Sequence, residues 1–306
     1  MLAAKVLPMS TSRTLRLLLQ RDELAAAASE AVHETGPELR LERLDIRPAN
    51  RGFPAFVNDI STDISEIAIV SLLQAVAAGK PVGMLPVTVL GRFQHQTLKS
   101  IRGLGLDALP GSTVGVRSWT QTTGAWVRGA LADQFGIDWR AIDWVTYEGS
   151  HLRGTPDPEG VRRAPDCANL REDLMEGRLD FVIAGEDIPG ATPAIEDPDE
   201  AAHSWARAAG CVPVNHVVGI ALETAGRYPE VMLAVYQALR RASVAPPEDG
   251  FNLTPTGFDG LRPAFTKAAV YALEQQILPR PVDFEELVAP TLDALGASAA
   301  AVLASA

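Results

Sequence analysis

Five histidines are spread over 306 residues, and two of them, His95 and His216, stand among polar neighbours in otherwise strand-like sequence. His95 lies in Arg92-Phe93-Gln94-His95-Gln96-Thr97. A strand buried on both faces should be nearly all apolar, yet this run alternates polar groups. His216 shares a strand face with Val214, Val218 and Ile220 and has Asn215 beside it. Imidazole gives or takes a proton near neutral pH. Two rings on adjacent strands could therefore serve one cleft as proton donors or acceptors, with Glu66 polarising a substrate oxygen. They could also be two metal ligands with Glu66 or Glu148 as a third, although no tight motif such as His-Glu-x-x-His is present. The plain alternatives are structural: a hinge histidine bonded to a carbonyl at 95, and a core histidine at 216.

A second set of residues suits an anion. Arg13 and Arg117 each offer a fork of donors that matches a carboxylate. Thr120, Thr122 and Thr123 surround the expected start of a helix, where free N–H groups and the helix dipole attract negative charge. Trp119 is a natural platform for a planar ring. Arg128, in mid-helix, reads as a structural ion-pair residue.

These side chains need a scaffold, and short apolar runs alternating with longer helical patterns indicate an α/β protein with a mostly parallel sheet. Strands are expected at residues 3–7, 39–46, 62–67, 83–89, 92–98, 113–116, 143–146, 181–184 and 212–221. Helices are expected at 13–30, 70–78, 122–135, 169–176, 229–242, 263–276 and 284–295. The 122–135 helix is the clearest, with Val127, Ala130, Leu131 and Phe135 at helical spacing and Thr122 or Thr123 as N-cap. Residues 150–166 and 189–200 are rich in proline and charge and read as loops, the first long enough to be a lid.

Composition sets outer limits. Lys plus Arg is 27 against 38 Asp plus Glu, a net charge of −11. Such a surface repels phosphate backbones and anionic lipids, so neither nucleic acid nor a membrane is an expected partner. A small anionic substrate needs a locally positive cavity inside that envelope. Two cysteines, Cys167 and Cys211, make neither a disulfide framework nor a cysteine zinc site. With no apolar leader and no uncharged run near 20 residues, the expected location is the cytoplasm.

The segment at 114–131, VGVRSWTQTTGAWVRGAL, resembles the strand–loop–helix of 4,5-dihydroxyphthalate decarboxylases. Other stretches agree in order: Ser12-Arg13-Thr14, Asp63-Ile64-Ser65-Glu66, Phe93-Gln94-His95, Val214-Asn215-His216-Val217-Val218, and the closing EQQILPR and EELVAP. The resemblance implies a two-lobed α/β fold similar to type II periplasmic binding proteins, with two crossover strands and an inter-lobe cleft. Lobe one would be 1–88 plus 217–306 and lobe two 89–216, crossing near 89–97 and 212–218.

The resemblance further implies a decarboxylase that works without a cofactor on a hydroxylated aromatic carboxylate. His95, His216 and Glu66 would be catalytic, with His95 the first choice of proton donor. Ser12, Arg13, Arg117, Trp119, Thr122 and Thr123 would bind substrate. A homodimer is compatible with this reading. The chain also departs from the family. Arg117-Ser118-Trp119 replaces Pro-Glu-Tyr, Gln94 replaces an arginine, and Arg92 is shifted by one from another. A non-catalytic solute-binding protein, or another lyase such as a dehydratase, is the alternative on the same fold.

Overall fold

The computed structural model describes residues 13–296 and 298–304. The expected strand at 3–7 and the candidate Ser12 lie outside the described residues. The chain begins with β1 (Arg13–Leu18), α1 (Asp22–Thr35), β2 (Leu39–Arg43), α2 (Phe53–Asp59), β3 (Ile64–Ala68), α3 (Ile69–Ala77) and β4 (Val82–Gly91). It continues through β5 (Leu98–Ser100), β6 (Thr113–Val116), α4 (Thr122–Phe135), β7 (Asp143–Thr146), β8 (Arg162–Arg163), α5 (Leu170–Met175), β9 (Phe181–Ile183), β10 (Thr192–Pro193) and α6 (Pro198–Ala209). It closes with β11 (Val214–Ala221), α7 (Leu222–Arg227), α8 (Pro229–Ser243), α9 (Gly257–Glu274), α10 (Phe284–Leu295) and α11 (Ala299–Ala304).

Two sheets result. The first has the order β2-β1-β3-β11-β4 and the second β10-β5-β9-β6-β7-β8. β1, β2 and β3 run parallel, and β11 inserts antiparallel between β3 and β4. The chain thus leaves the first sheet at Gly91, builds the second, and returns through β11. That return sets the start of β11 beside the carboxyl ends of β3 and β4, the end of an α/β sheet where ligands bind.

Burial follows the sequence pattern. Every residue of β3 is buried, as a central strand covered by helices on both faces requires. α1 turns Leu24, Ala25, Ala28 and Val32 inward, and α8 does the same with Met232, Val235, Tyr236 and Leu239. α4 is buried from Thr122 through Leu131, because it lies between its own sheet and α9, where Gly129 meets the Tyr271 ring. Among the described residues no helix is long and apolar enough to cross a membrane.

Three local expectations change. Residues 13–30 split into β1 and α1, because Leu15, Leu17 and Leu18 are buried on a two-residue alternation that outweighs the helical spacing further on. Of the strand expected at 92–98, residues 92–97 form a loop and a 3₁₀ turn at His95–Thr97, and Leu98 opens β5. The polar alternation there serves local bonding, with Gln94 Nε2 donating to the Arg92 carbonyl at 2.8 Å and Thr97 Oγ1 to the Gln94 carbonyl at 2.6 Å. The N-cap of α4 is Gln121, with no side-chain cap.

Candidate active site

A cavity of about 180 Å³ opens where the end of β3, the end of β4 and the start of β11 meet the loop after β6, the first turn of α4 and the loop after β7. Its walls have distinct chemistries.

One wall carries His216. Its Nδ1 lies 2.7 Å from Glu66 Oε1, because β11 and β3 are paired antiparallel with Val218 opposite Glu66 and His216 opposite Ala68. Glu66 is 4% exposed, and its other oxygen accepts the Gln20 N–H at 3.0 Å. Gln20 in turn accepts the Ala49 N–H at 2.8 Å, so the carboxylate is fixed by β1, the 3₁₀ turn before α2, and β11 together. A carboxylate on Nδ1 fixes the orientation of the ring. Nε2 is left to meet a ligand. Phe53 of α2 presents its ring edge-on to both His216 and His151, at centroid distances of 5.2 and 5.6 Å, and forms an apolar floor.

The opposite wall is electropositive. The first turn of α4 has no side-chain cap, so its leading N–H groups are free. Thr122 and Thr123 are each 4% exposed, and Thr122 Oγ1 has no partner among the described residues. Thr123 Oγ1 receives the Asn215 amide at 3.4 Å, while Asn215 Oδ1 receives Gln94 Nε2 at 2.6 Å. This chain of amides locks the helix start to β11, as does the Trp126 indole donating to the Val214 carbonyl at 2.9 Å. Arg92 and Arg117 both line the cavity. Arg117 pairs with Glu148 at 2.5 Å. Arg92 has no carboxylate within ion-pair distance among the described residues, its buried Nε is unpartnered, and burial holds its pKa below the ordinary guanidinium value.

The third wall is a loop that crosses to the first sheet's helices. His151 Nδ1 lies 2.8 Å from Ser71 Oγ, and the His151 carbonyl accepts Asn58 Nδ2 at 2.8 Å. Asn58 Oδ1 accepts the Arg153 N–H at 3.0 Å, and Arg153 forks onto Asp59 at 2.9 and 2.7 Å. Burial, with the nearby Arg117 and His216 charges, pushes the His151 pKa down to about 4. It is a neutral imidazole at neutral pH.

Of the residues singled out from the sequence, His216, Arg117, Thr122 and Thr123 line this cavity, as does Thr120, and Glu66 stands directly behind His216. His95 does not. It is 2% exposed and packs beside Trp205, with Nε2 3.0 Å from Gln134 Oε1. The Gln134 amide nitrogen is committed to the Ala201 carbonyl, so its oxygen accepts and His95 Nε2 carries the hydrogen. The 3₁₀ turn, replacing the expected strand, rotates the ring into α4 and α6. Arg13 is likewise remote. It opens β1 rather than following a strand, which puts it at the opposite end of the sheet beside Asp63 and Tyr228.

Trp119 is no ligand platform, because it is fully buried among Trp139 and Trp144 with its indole donating to the Gln275 carbonyl. Arg128 is structural, though by stacking rather than ion pairing. Its guanidinium lies 3.7 Å over the Trp119 ring and bonds Gln275 Oε1 and the Trp119 carbonyl, with burial lowering its pKa to about 9.

Sequence reasoning missed His151, Asn50 and Phe53, and gave Arg92 no site role. His151 lies in the stretch read as a loop or lid, where no residue is singled out, and the Gly-Ser-His-Leu start of that stretch is the available signal. Among the described residues no group of three or more His, Cys, Asp or Glu side chains could hold a metal ion. The metal-ligand reading of His95 and His216 therefore finds no third partner, and the two rings do not share a wall.

No family model matches the chain. It is similar to 4,5-dihydroxyphthalate decarboxylase. The relative, from Comamonas testosteroni, is 28% identical over 198 residues, or 59% of this chain. The match spans 60% of the relative's length. Among solved structures, the periplasmic aliphatic sulphonate binding protein of Escherichia coli aligns at a TM-score of 0.52 and 16% identity, covering 90% of this chain and 96% of that one. The ligand-binding component of an ABC-type import system from Staphylococcus aureus aligns at 0.53 and 11% identity, covering 92% and 99%. At such identities the likeness shows the fold alone. The chain has the periplasmic binding protein fold, as the resemblance implied.

Proposed function

We propose that the chain is a cofactor-independent decarboxylase of a small hydroxylated aromatic carboxylate, bound in the cavity between the two sheets. The observation that carries this is the opposition of an acid–base pair and an anion site across one small hollow. The His216–Glu66 pair has a ring nitrogen free, and the first turn of α4 faces it with Arg92 and an unpartnered Thr122 hydroxyl. The similarity to a decarboxylase over 59% of the chain supports the same reaction class.

On this reading the carboxylate docks at the α4 N–H groups, Thr122 and Arg92, where dipole and guanidinium hold it. His216, its ring held by Glu66, delivers a proton to the ring carbon that bears the carboxylate, while a phenol ortho or para to it gives up its hydroxyl proton and becomes a ketone. The carbon–carbon bond then breaks, carbon dioxide leaves, and the electron pair passes through the ring to the keto oxygen, which takes up a proton as the aromatic phenol re-forms. A positioned acid contributes about 10²–10⁴-fold. The dry floor at Phe53 strengthens each interaction by excluding water.

The likeness to solute-binding proteins in the solved structures favours a second reading, a binding protein without chemistry. One experiment separates the two. Purified protein is incubated with a panel of hydroxylated benzoates and phthalates while carbon dioxide release and heat of binding are followed together. The enzyme reading expects both signals for the same compound; heat without carbon dioxide across the panel rejects it.

A further inference from the structure

The cavity's cations are not equally available. Arg117 follows β6 and Glu148 follows β7, and the register of the two strands sets Val116 opposite Thr146. The Tyr147 and Glu148 N–H groups both donate to the Arg117 carbonyl, at 3.1 and 2.6 Å. Backbone pairing therefore holds the two side chains together, and Arg117 Nη1 meets Glu148 Oε2 at 2.5 Å. On the far wall His216 is balanced by Glu66. His151 is neutral at neutral pH. Arg92 forms no ion pair among the described residues; its Nη1 reaches only the Gly185 carbonyl at 3.5 Å, and the neighbouring Glu186 acts on it only from beyond ion-pair distance. The positive charge not held in an ion pair is thus one guanidinium plus the partial charge of about half a unit at the α4 start.

Building on the proposed function, we propose that Glu148 is a specificity-determining residue that neutralises Arg117, so that the cavity takes an aromatic acid with a single carboxylate and disfavours a vicinal dicarboxylate. A first carboxylate at Arg92 and the α4 start uses all the uncompensated charge. A second, on the neighbouring ring carbon, would have to displace Glu148 from Arg117 or lie unpaired in a half-dry site, which is costly. The hydroxyl groups at the other end of the ring meet neutral donors and acceptors, Asn50 and His151, instead. Glu148 is 57% exposed at its side chain, so replacing it exposes no core.

The test is calorimetry with two probes that share a ring, 3,4-dihydroxybenzoate and 4,5-dihydroxyphthalate, on the full chain and on Glu148→Gln. The full chain should bind the monoacid at least tenfold more tightly. Glu148→Gln, which leaves Arg117 free, should raise diacid affinity at least tenfold and change monoacid affinity less than threefold. Equal or tighter binding of the diacid by the full chain, or an unchanged ratio in Glu148→Gln, overturns the charge assignment while leaving the aromatic-acid reading intact. Absence of binding by either acid to either protein overturns that reading, and this assignment with it.

Discussion

At the scale of single residues, the acid–base role proposed for His216 rests on its two nitrogens: one is held by a buried carboxylate and the other is free beside a cavity. His216→Asn keeps the polar contact to Glu66 but carries no proton to give, so turnover should fall by about 10²-fold or more while ligand affinity changes little. Steady-state kinetics with calorimetry would check this. Glu66→Gln should lower turnover as well, because the ring loses the carboxylate that fixes its tautomer and orientation. His151 gives a stability prediction. The folded chain refuses a proton on this ring until about pH 4, against 6.5 for the free side chain. Between those values the unfolded chain binds more protons, so the His151 contribution is complete above about pH 6.5 and is lost as pH falls toward 4, an effect of up to about 3 kcal/mol. Urea denaturation at pH 7 and pH 5 should show a smaller loss of midpoint in His151→Asn. Burial lowers the His95 pKa too, so the slope flattens without vanishing.

At the scale of elements, α4 carries the proposed anion site, and its placement depends on Gly129. An added Cβ there would lie 2.1 Å from the Tyr271 ring. That ring cannot swing aside, because its hydroxyl donates to Asp133 at 2.5 Å and accepts the Trp205 indole at 3.1 Å. Gly129→Ala gains about 1 kcal/mol in helix propensity and costs about 1–3 kcal/mol in overpacking. The net sign should be destabilising, seen as a lower urea midpoint with unchanged slope. The loop bearing His151 is positioned by Asn58, which bonds it twice. Asn58→Ala should weaken ligand binding through faster dissociation, measurable by stopped flow.

The bounds of α4 were legible from Val127, Ala130, Leu131 and Phe135 at helical spacing, though its burial on every side from Thr122 to Leu131 and its Gln121 N-cap were not, and the four residues of β6 and of β7 were legible from their apolar content. Residues 13–18 and 92–98 were not. In the first, Leu15, Leu17 and Leu18 satisfy both a strand and a helix pattern. In the second, side-chain-to-backbone bonds from Gln94 and Thr97 mimic a polar strand. Those two ambiguities are the reason Arg13 and His95 seemed to face a cleft they do not reach.

At the scale of the whole molecule, two sheets joined by the passages at 91–98 and 193–214 bring β3, β4 and β11 of one against β6, β7 and α4 of the other. A larger hollow, about 580 Å³, lies between the loop at 152–159 and the segment after α9. Its cation Arg153 is held by Asp59 and its Asp157 by Arg163, so it offers an anion no free partner. The smaller cavity keeps an unpaired guanidinium, an uncapped helix and a poised imidazole. The most direct measurement is a crystal structure of the chain with bound 3,4-dihydroxybenzoate. The account predicts the carboxylate within hydrogen-bond distance of the Thr122 and Arg92 groups and the ring against His216 and Phe53. A ligand lodged beside Leu152 and Pro279, with the His216 cavity holding only water, would contradict it.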